Sequence, residues 1–348
     1  MMLRNKLKYY ILFLLILIFI SGYFFIGNGY IISTSGRLYV VNKVSKDITV
    51  FDLEKGTEIT KIPVGIEPHE ITTVTSNKFV VVSNYGNENT IGRTLTVINT
   101  KNNLVEKVIN LGESAKPHGI VEIPETNKVL VVTNIGNNVL QVNIKSGKIE
   151  KIIPTLQKAS HLLTLHPNKN IVFVSNISSN SISVIDIDKE KVIKIIKCGN
   201  GTYGIDVTPD GKELWITNNR DNTINVINTE TYKITYTLLA ENQPLSLKIT
   251  PNGEHCLVTN SLRGSVYVFD VKTKELIHTI QFPGKENMLE RILYHTPRPV
   301  SILIHPNEKY AFIANSNANR IEIIDLETLT VVSNIKTGEI PDGMVILE

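Results

Sequence analysis

The chain has 348 residues, of which 42% are hydrophobic, so it is long enough to bury one large core or two smaller ones. Its formal net charge is +3, and Arg4, Lys6 and Lys8 account for all of it, which leaves the remainder close to neutral. Nucleic-acid binding needs clustered, uncompensated Lys and Arg, so this balance argues against a nucleic-acid partner. Cys198 and Cys256 are far apart in sequence and are expected to be two free thiols.

The first predicted element is an apolar run over residues 9–26, which follows the basic segment 1–8. Its 18 residues are enough to cross a bilayer as a helix, at the short end of the usual range. The basic residues precede it, so the positive-inside rule places residues 1–8 in the cytoplasm and the rest of the chain outside. We predict a retained single-pass membrane anchor followed by a linker, 27–36. The alternative is a cleaved signal segment and a secreted protein, although no clear A-x-A-like cleavage site follows the run.

The rest of the chain, 37–348, is built from a repeated unit. A β-branched or aromatic run ending in Asn recurs seven times, mostly at a spacing of 42 residues. These runs end at Asn42, Asn84, Asn134, Asn176, Asn218, Asn260 and Asn315. A second phrase, such as "TVFD" or "SVID", usually follows ten residues later, and a third short stretch then ends in or near Gly, as in "ITKIPVG".

Each unit therefore predicts four strands separated by turns. The first two strands are joined by "TPDGK", "TPNGE" or "HPNKN", in which Pro, Asn, Asp and Gly favour tight hairpin turns. Four antiparallel strands in a repeat of about 42 residues are typical of a β-propeller. The phrases P-x-G-I, P-D-G, Y-V-T-N, V-S-V-I-D and I-x-V-G resemble the YVTN-type β-propeller repeat family over nearly the whole chain after residue 36. This resemblance implies surface or periplasmic proteins whose partners vary.

The ends of the chain predict how the ring closes. The first unit lacks a P-x-G-I strand, and the C-terminus supplies a spare one, "PDGMVIL" at 341–347. We therefore predict an all-β fold: a seven-bladed β-propeller of four-stranded antiparallel blades, preceded by one transmembrane helix. The C-terminal strand is expected to be innermost in the first blade, because closure removes the free edges of an open ring.

A His-containing phrase begins the predicted innermost strands of three successive blades: "PHEI" at 68–71, "PHGI" at 117–120 and "SHLL" at 160–163. In a four-stranded meander these positions share one face, near the central channel. The seven equivalent positions are His69, His118, His161, Tyr203, Leu245, Val300 and Asp342.

The polar and aromatic members of that set are the candidate ligand-binding residues: His69, His118, His161, Tyr203 and Asp342. Imidazole is a common metal ligand, so the three histidines are also a candidate metal site. A third interpretation is structural, in which each His packs or hydrogen-bonds at a blade junction. The sequence requires no cofactor and identifies none, and a metal ion is one alternative.

Two insertions, 85–94 and 285–298, explain the longer repeat spacings of 50 and 55 residues and are predicted on the same face. The second is spaced like a short amphipathic helix and is a candidate lid, with neutral drift in a tolerant loop as the alternative. His166 and His305 lie in "HPN" turns on the opposite face, where a solvated turn residue is expected.

Two function classes follow. The first is a membrane-tethered, extracytoplasmic propeller that binds an unknown protein or small molecule through the face bearing the three histidines. The second is a propeller enzyme, lactonase-like, lyase-like or dependent on a metal or haem, with its site at the same channel mouth. The sequence contains no G-x-S-x-G, P-loop, G-x-G-x-x-G or C-x-x-C-H motif, so it specifies no reaction and favours the binding class.

Overall fold

The computed structural model of the protein describes residues 29–282 and 296–348. The predicted anchor at 9–26 lies outside the described residues, as does most of the 285–298 insertion. In the two ranges that are described, no helix is long and apolar enough to span a membrane.

The described residues form a seven-bladed β-propeller, in which each blade is a four-stranded antiparallel sheet. The strands of the first four blades after the closing one, in chain order, are β4 (Pro68–Val74), β5 (Phe79–Gly86), β6 (Ile91–Asn99), β7 (Leu104–Asn110), β8 (Ala115–Ile123), β9 (Lys128–Ile135), β10 (Asn138–Asn143), β11 (Lys148–Pro154), β12 (Ser160–Leu165), β13 (Ile171–Asn176), β14 (Ser181–Asp186), β15 (Lys191–Lys197), β16 (Thr202–Val207), β17 (Glu213–Asn218), β18 (Thr223–Asn228) and β19 (Lys233–Leu239). Two further blades contain β20 (Pro244–Ile249), β21 (His255–Asn260), β22 (Ser265–Asp270), β23 (Leu276–Gln281), β24 (Pro299–Ile304), β25 (Tyr310–Asn315), β26 (Arg320–Asp325) and β27 (Thr330–Lys336).

The remaining blade joins the two ends of the described propeller. It contains β1 (Arg37–Asn42), β2 (Asp47–Asp52), β3 (Thr57–Pro63) and β28 (Pro341–Leu347), in the order β28-β1-β2-β3. Leu38 pairs with Ile346 and Val40 with Met344 across this junction. The predicted blade number, strand number and closure by the C-terminal strand are therefore confirmed.

Alternation along the second strand of each blade creates the apolar core. In β17, the side chains of Leu214 and Ile216 pack toward the preceding blade, whereas Trp215 packs toward the following one. Successive strand residues point to opposite faces of a sheet, so one apolar run fills two seams. Within the described ranges, each of the seven seams between neighbouring blades has its own cluster of buried aliphatic and aromatic side chains.

The repeated Asn joins strands and blades. The Asn84 Nδ2 donates hydrogen bonds to the hydroxyls of Thr94 and Thr96 on the next strand, at 2.9 Å each. Its Oδ1 accepts from the backbone N–H of Gly65 in the linker from the preceding blade, at 3.1 Å. A Cβ at Gly65 would lie 2.5 Å from the Asn84 side chain, so the amide occupies the space that the missing side chain leaves.

Residues 29–36 run along the closing seam and contact both blades beside it. The Tyr30 ring packs edge-on against Phe51, with centroids 5.1 Å apart. On the other blade, the backbone N–H of Ile31 donates to Ser333 Oγ at 2.9 Å, and Asn307 Nδ2 donates to Thr34 Oγ1 at 2.9 Å. This segment, which we call the strap, ties the closing blade to its neighbour independently of the strand pairing.

The two "HPN" histidines differ from the prediction. His166 and His305 were expected to be solvated, but only 6% of His166 and none of His305 is exposed. In both turns the Nδ1 atom accepts a backbone N–H two residues later, from Asn168 or Asn307, at 3.0 Å. The imidazole therefore closes its own turn. The strap covers the ring of His305, whose Nε2 lies 3.0 Å from the carbonyl oxygen of Ser35.

Candidate ligand-binding site

The site lies at the channel mouth, the end of the central channel at which the innermost strands β4, β8, β12, β16, β20, β24 and β28 begin. In β4, Pro68 pairs with Asn84 and Ile71 with Val82, so three steps on one strand match two on its partner. The extra residue is a β-bulge that contains His69. Bulges at the equivalent place occur in the blades of His118, His161 and Tyr203. Because a bulge re-aims the side chain it carries, the histidines meet their neighbours in the next blade.

Five rings form a continuous row around this mouth, which we call the imidazole arc: Tyr85, His69, His118, His161 and Tyr203. Consecutive ring centroids are 4.7, 4.4, 3.7 and 4.3 Å apart, and the planes are tilted by 43–57°. These separations are short for aromatic contacts, so the rings touch. Each ring comes from an innermost strand except that of Tyr85, which lies at the end of β5.

The imidazoles of the arc are neutral at physiological pH. Burial lowers the pKa of His161 to about 3, and burial also holds the pKa of His118 well below the usual value for histidine. The pKa of His69 is lowered by burial as well, and the contact with Asp342 opposes this shift without cancelling it. Desolvation disfavours the charged form, and neighbouring imidazoles add mutual repulsion if more than one is protonated.

Three ring nitrogens of the arc are buried without a hydrogen-bond partner among the described residues: Nδ1 of His69, Nδ1 of His118 and Nε2 of His161. His118 is 4% and His161 7% exposed. Buried polar atoms in folded proteins nearly always have a partner, either protein or solvent. Three such atoms in one row mark the arc as the place in the mouth where the fold leaves polar groups unpaired.

Asp342 supplies the ionised group of the mouth. Its Oδ2 lies 3.3 Å from Nζ of Lys43 and 3.4 Å from Nδ1 of His69, although the contact with His69 lacks the alignment of a hydrogen bond. Burial acts to raise the pKa of Asp342, but Lys43 and His69 outweigh it and hold that pKa below its usual range. Asp342 is consequently a carboxylate, and Lys43 is its counter-ion.

Glu70 lies directly beneath the arc and behaves differently from Asp342. Its carboxyl group makes no hydrogen bond to any residue that the structure describes, and a Cβ at Gly343 would lie 3.1 Å from its Oε2. Burial, followed by the negative charge of Asp342, raises the pKa of Glu70 to about 8. Two carboxyl groups with oppositely shifted pKa values therefore stand one seam apart.

The innermost strands of all seven blades enclose a cavity of about 250 Å³ below the mouth. Its wall is mixed, with Glu70, Thr72, Ser246 and Lys248 among aliphatic residues. The Lys248 ammonium group lies 3.4 Å from Asp206 on the adjacent strand, so its charge is already compensated. The cavity is too small for a drug-sized molecule and suits a ligand of few atoms.

All five predicted candidates are present at this mouth. The rings of His69, His118, His161 and Tyr203 touch in a row, and Asp342 lies beside His69. The equivalent positions of the other two blades carry the apolar residues Leu245 and Val300. No group of three or more His, Cys, Asp and Glu side chains in the described part of the chain is arranged to hold a metal ion. The three imidazoles pack ring against ring, and a metal site at His69, His118 and His161 stays a prediction.

The sequence analysis missed Tyr85, Lys43 and Glu70. The 85–94 insertion does not form a separate loop: it lengthens the β5–β6 hairpin, with Gly86 paired to Ile91, and carries Tyr85 to the arc. Glu70 was visible as a departure from the repeat, because "PHEI" has Glu where "PHGI" has Gly119. Lys43 gave no comparable signal. Cys198 and Cys256 are free thiols, as predicted.

The fold and the channel-mouth site define a seven-bladed propeller with a small enclosed site on its axis. A family model described as "Lactonase, 7-bladed beta-propeller" matches residues 30–289, well over half of the chain. The chain therefore belongs to the seven-bladed lactonase propeller family. No curated protein matches it in sequence.

Solved structures share the fold at low sequence identity. A functionally unknown protein from Desulfotomaculum acetoxidans DSM 771 aligns with a TM-score of 0.75 and 18% identity, covering 90% of this chain and 99% of that one. Kuenenia stuttgartiensis hydrazine synthase gives 0.71 and 16%, covering 86% and 95% of the two chains. The dihydro-heme d1 dehydrogenase NirN in complex with DHE gives 0.62 and 13%, covering 89% and 66%. At these identities the likeness extends to the fold alone.

Proposed function

We propose that this protein is a ligand-binding propeller whose site is the channel mouth formed by the imidazole arc, Asp342 and Glu70. The single observation that carries the proposal is the row of three buried imidazole nitrogens without partners. Leaving a buried polar atom unpaired costs about 1–3 kcal/mol, so a ligand that pairs with these atoms recovers that free energy on binding. The small cavity favours a small molecule over a protein partner.

The hydrogen-bonding groups that the ligand needs follow from the neutrality of the arc. A neutral imidazole has one N–H donor and one acceptor nitrogen, and here one nitrogen of each ring is unpaired. The YVTN-type resemblance of the repeats agrees with a binding role but names no ligand. The site therefore takes a small polar molecule that exchanges hydrogen bonds with uncharged rings.

Mutation of the arc tests this proposal. Ligand-observed NMR with a defined library of small polar molecules is expected to show binding to the wild type and a loss of affinity of at least about tenfold in His118→Phe, which keeps a ring and removes both nitrogens. His278→Phe, on the exposed outer strand β23, is the matched control and should bind like the wild type. Equal binding by His118→Phe would place the ligand elsewhere.

Hydrolysis of a lactone is a second candidate function, favoured by the pairing of Asp342 with His69 and by the family to which the chain belongs. A carboxylate beside Nδ1 favours the tautomer with its proton there, which leaves Nε2 to accept a proton from an attacking water. With γ-butyrolactone or δ-valerolactone in a pH-stat, His69→Phe and Asp342→Asn should both abolish any turnover. Turnover that survives in both variants would contradict this role.

We also propose that residues 9–26 hold the propeller at the outer side of a membrane. The support is the apolar run with basic residues before it. Alkaline extraction of membranes should leave the full chain in the pellet and release a chain that starts at residue 29. A full-length chain released in the same way would contradict the anchor.

A further inference from the structure

The proposed binding function leaves the class of ligand open, and the groups around the mouth narrow it. We infer that the ligand is a small organic monocation, an alkylammonium or quaternary ammonium group, held between the imidazole arc and the carboxyl group of Glu70. This inference rests on the proposed function and specifies its ligand.

The arc offers what an organic cation binds. Its rings are aromatic, burial keeps the imidazoles uncharged, and one nitrogen of each imidazole is unpaired, while the inner rings pack against one another. Aromatic groups arranged around a site attract ammonium ions through the ring quadrupole. The arc already holds one cation: Nζ of Lys116 lies 4.9 Å from the centroid of the Tyr85 ring.

Glu70 supplies the charge that a cation needs. Its carboxyl group has no hydrogen-bond partner among the described residues and lines the cavity directly below the arc. Asp342 does not serve this purpose, because Lys43 is already paired with it at 3.3 Å. Five of the seven equivalent positions carry Gly or Ser (Gly119, Gly204, Ser246, Ser301 and Gly343), so a Glu at this place is a local addition to the repeat.

An anion or a bare metal ion fits these groups less well. An anion beside Glu70 requires protonated imidazoles or a Lys or Arg there without a partner, whereas the arc is neutral and the two Lys residues that act on Glu70, Lys43 and Lys248, are paired with Asp342 and Asp206. Lys116 lies at the end of the arc, over Tyr85. The described side chains do not form a metal-holding group. An organic cation needs neither a free positive charge in the protein nor a metal-holding group, because it is bound through aromatic side chains and one carboxylate.

Cation binding is expected to release a proton. The charged groups that act on Glu70 are Asp342, which raises its pKa, and Lys43 and Lys248, which lower it. Burial dominates, so the free site holds Glu70 protonated near neutral pH. A bound cation favours the carboxylate, lowers the pKa of Glu70 and drives its proton into solution. Affinity should therefore rise with pH until Glu70 is ionised in the free protein as well.

Calorimetry on the full chain with choline and its uncharged isostere 3,3-dimethyl-1-butanol tests the inference. Choline should bind at least about tenfold more tightly than the isostere. Titrations at pH 7 in buffers of different ionisation enthalpy should show proton release on choline binding. Glu70→Gln should lose both the preference and the proton release. Glu122→Gln is the matched control, because Glu122 is a half-buried carboxyl on the neighbouring innermost strand β8 that instead accepts the backbone N–H of Thr75 at 2.9 Å.

The outcomes separate this inference from the proposed function. Equal or tighter binding of the isostere would overturn the cation class and keep the mouth as a binding site. Failure of choline, tetramethylammonium and n-butylammonium alike to bind at millimolar concentrations would also overturn it. If other library members then bind the wild type and not His118→Phe, the proposed function stands. The comparison of choline with its uncharged isostere uses the wild type, so it remains decisive even if Glu70→Gln is unstable.

Discussion

At the scale of single residues, the mouth is defined by groups whose ionisation the fold has changed. The imidazoles of the arc are held neutral by burial, Asp342 is held ionised by Lys43 and His69, and Glu70 is held protonated by burial and by Asp342. Each shift is a stability term as well as a functional one, because the same group titrates normally in the unfolded chain. The imidazoles, Asp342 and Glu70 lie side by side around the mouth, on innermost strands of the closing blade and of the three blades that follow it.

The arc should make the protein sensitive to mild acid. Below pH 6.5 the unfolded chain binds protons at His161 that the folded chain does not, because the folded pKa of His161 is lowered to about 3. The free energy of unfolding therefore falls as the pH falls, by up to about 2 kcal/mol per imidazole between pH 6.5 and 5. Glu70 acts in the opposite direction over this range, because its folded pKa is raised.

Urea unfolding of His161→Phe at pH 7.5 and pH 5 checks this, since the difference from the wild type cancels the contribution of Glu70. The variant should lose less stability on acidification than the wild type. His278→Gln, at an exposed position of β23, should follow the wild type. An identical pH slope in wild type and His161→Phe would show that this imidazole titrates normally in the folded protein.

At the scale of strands, the repeated Asn and the β-bulge have different roles: the Asn joins strands and blades, and the bulge positions the histidine. The Asn amide fixes the end of the second strand to the third strand and to the linker of the preceding blade, as Asn84 does with Thr94 and Gly65. The bulge then displaces the first residues of the innermost strand so that His69 meets His118. A regular strand would leave the side chains of adjacent blades apart around the channel.

Substitution of these Asn residues should be costly only where the amide is buried. Asn218 is fully buried, and its Nδ2 donates to Thr223 Oγ1 at 3.1 Å and to Asn225 Oδ1 at 2.8 Å. Asn218→Ala should lower the free energy of unfolding by about 2–3 kcal/mol, because it empties a polar cavity and strands its partners. Asn134, the partly exposed equivalent with one 3.5 Å contact to Ser160 O, is the matched control. Chemical unfolding should show a loss below about 1 kcal/mol for Asn134→Ala. Equal losses of stability in Asn218→Ala and Asn134→Ala would show that the buried amide does not stabilise the blade.

The sequence was sufficient to predict the blades and the face that carries the three histidines, but not the chemistry of the site. Turn residues and Asn recur at fixed offsets, and these local signals determine strand order, blade number and the common face of the three histidines. The contact of Tyr85 with His69, the unpaired carboxyl group of Glu70 and the burial of His305 depend on neighbours from other blades. The bulge leaves no distinct signal in "PHEI" or "PHGI", so the packing of ring on ring could not be foreseen.

At the scale of the whole molecule, two independent devices close the ring. The strand β28 pairs with β1 inside the closing blade, and it also brings Asp342 to the mouth. The strap bridges the seam between the closing blade and the blade of β24–β27 through Tyr30, Ile31 and Thr34. Closure of the ring and completion of the site are therefore the same folding event, since the last strand contributes to both.

Removal of 340–348 should consequently abolish the fold of the closing blade together with the site. The truncated chain presents the unpaired edge of β1 and the apolar side chains that Met344 and Ile346 cover, so it should associate or aggregate. Addition of a synthetic peptide of residues 340–348 should restore a monomer by pairing with β1, as strand addition does at other open edges. Size-exclusion chromatography with and without the peptide measures this. A peptide carrying Ile346→Asp is the control, because it keeps Asp342 and the backbone but places a charge in the seam. A truncated chain that remains monomeric and binds the mouth ligand would show that the strap alone closes the ring and that Asp342 is dispensable.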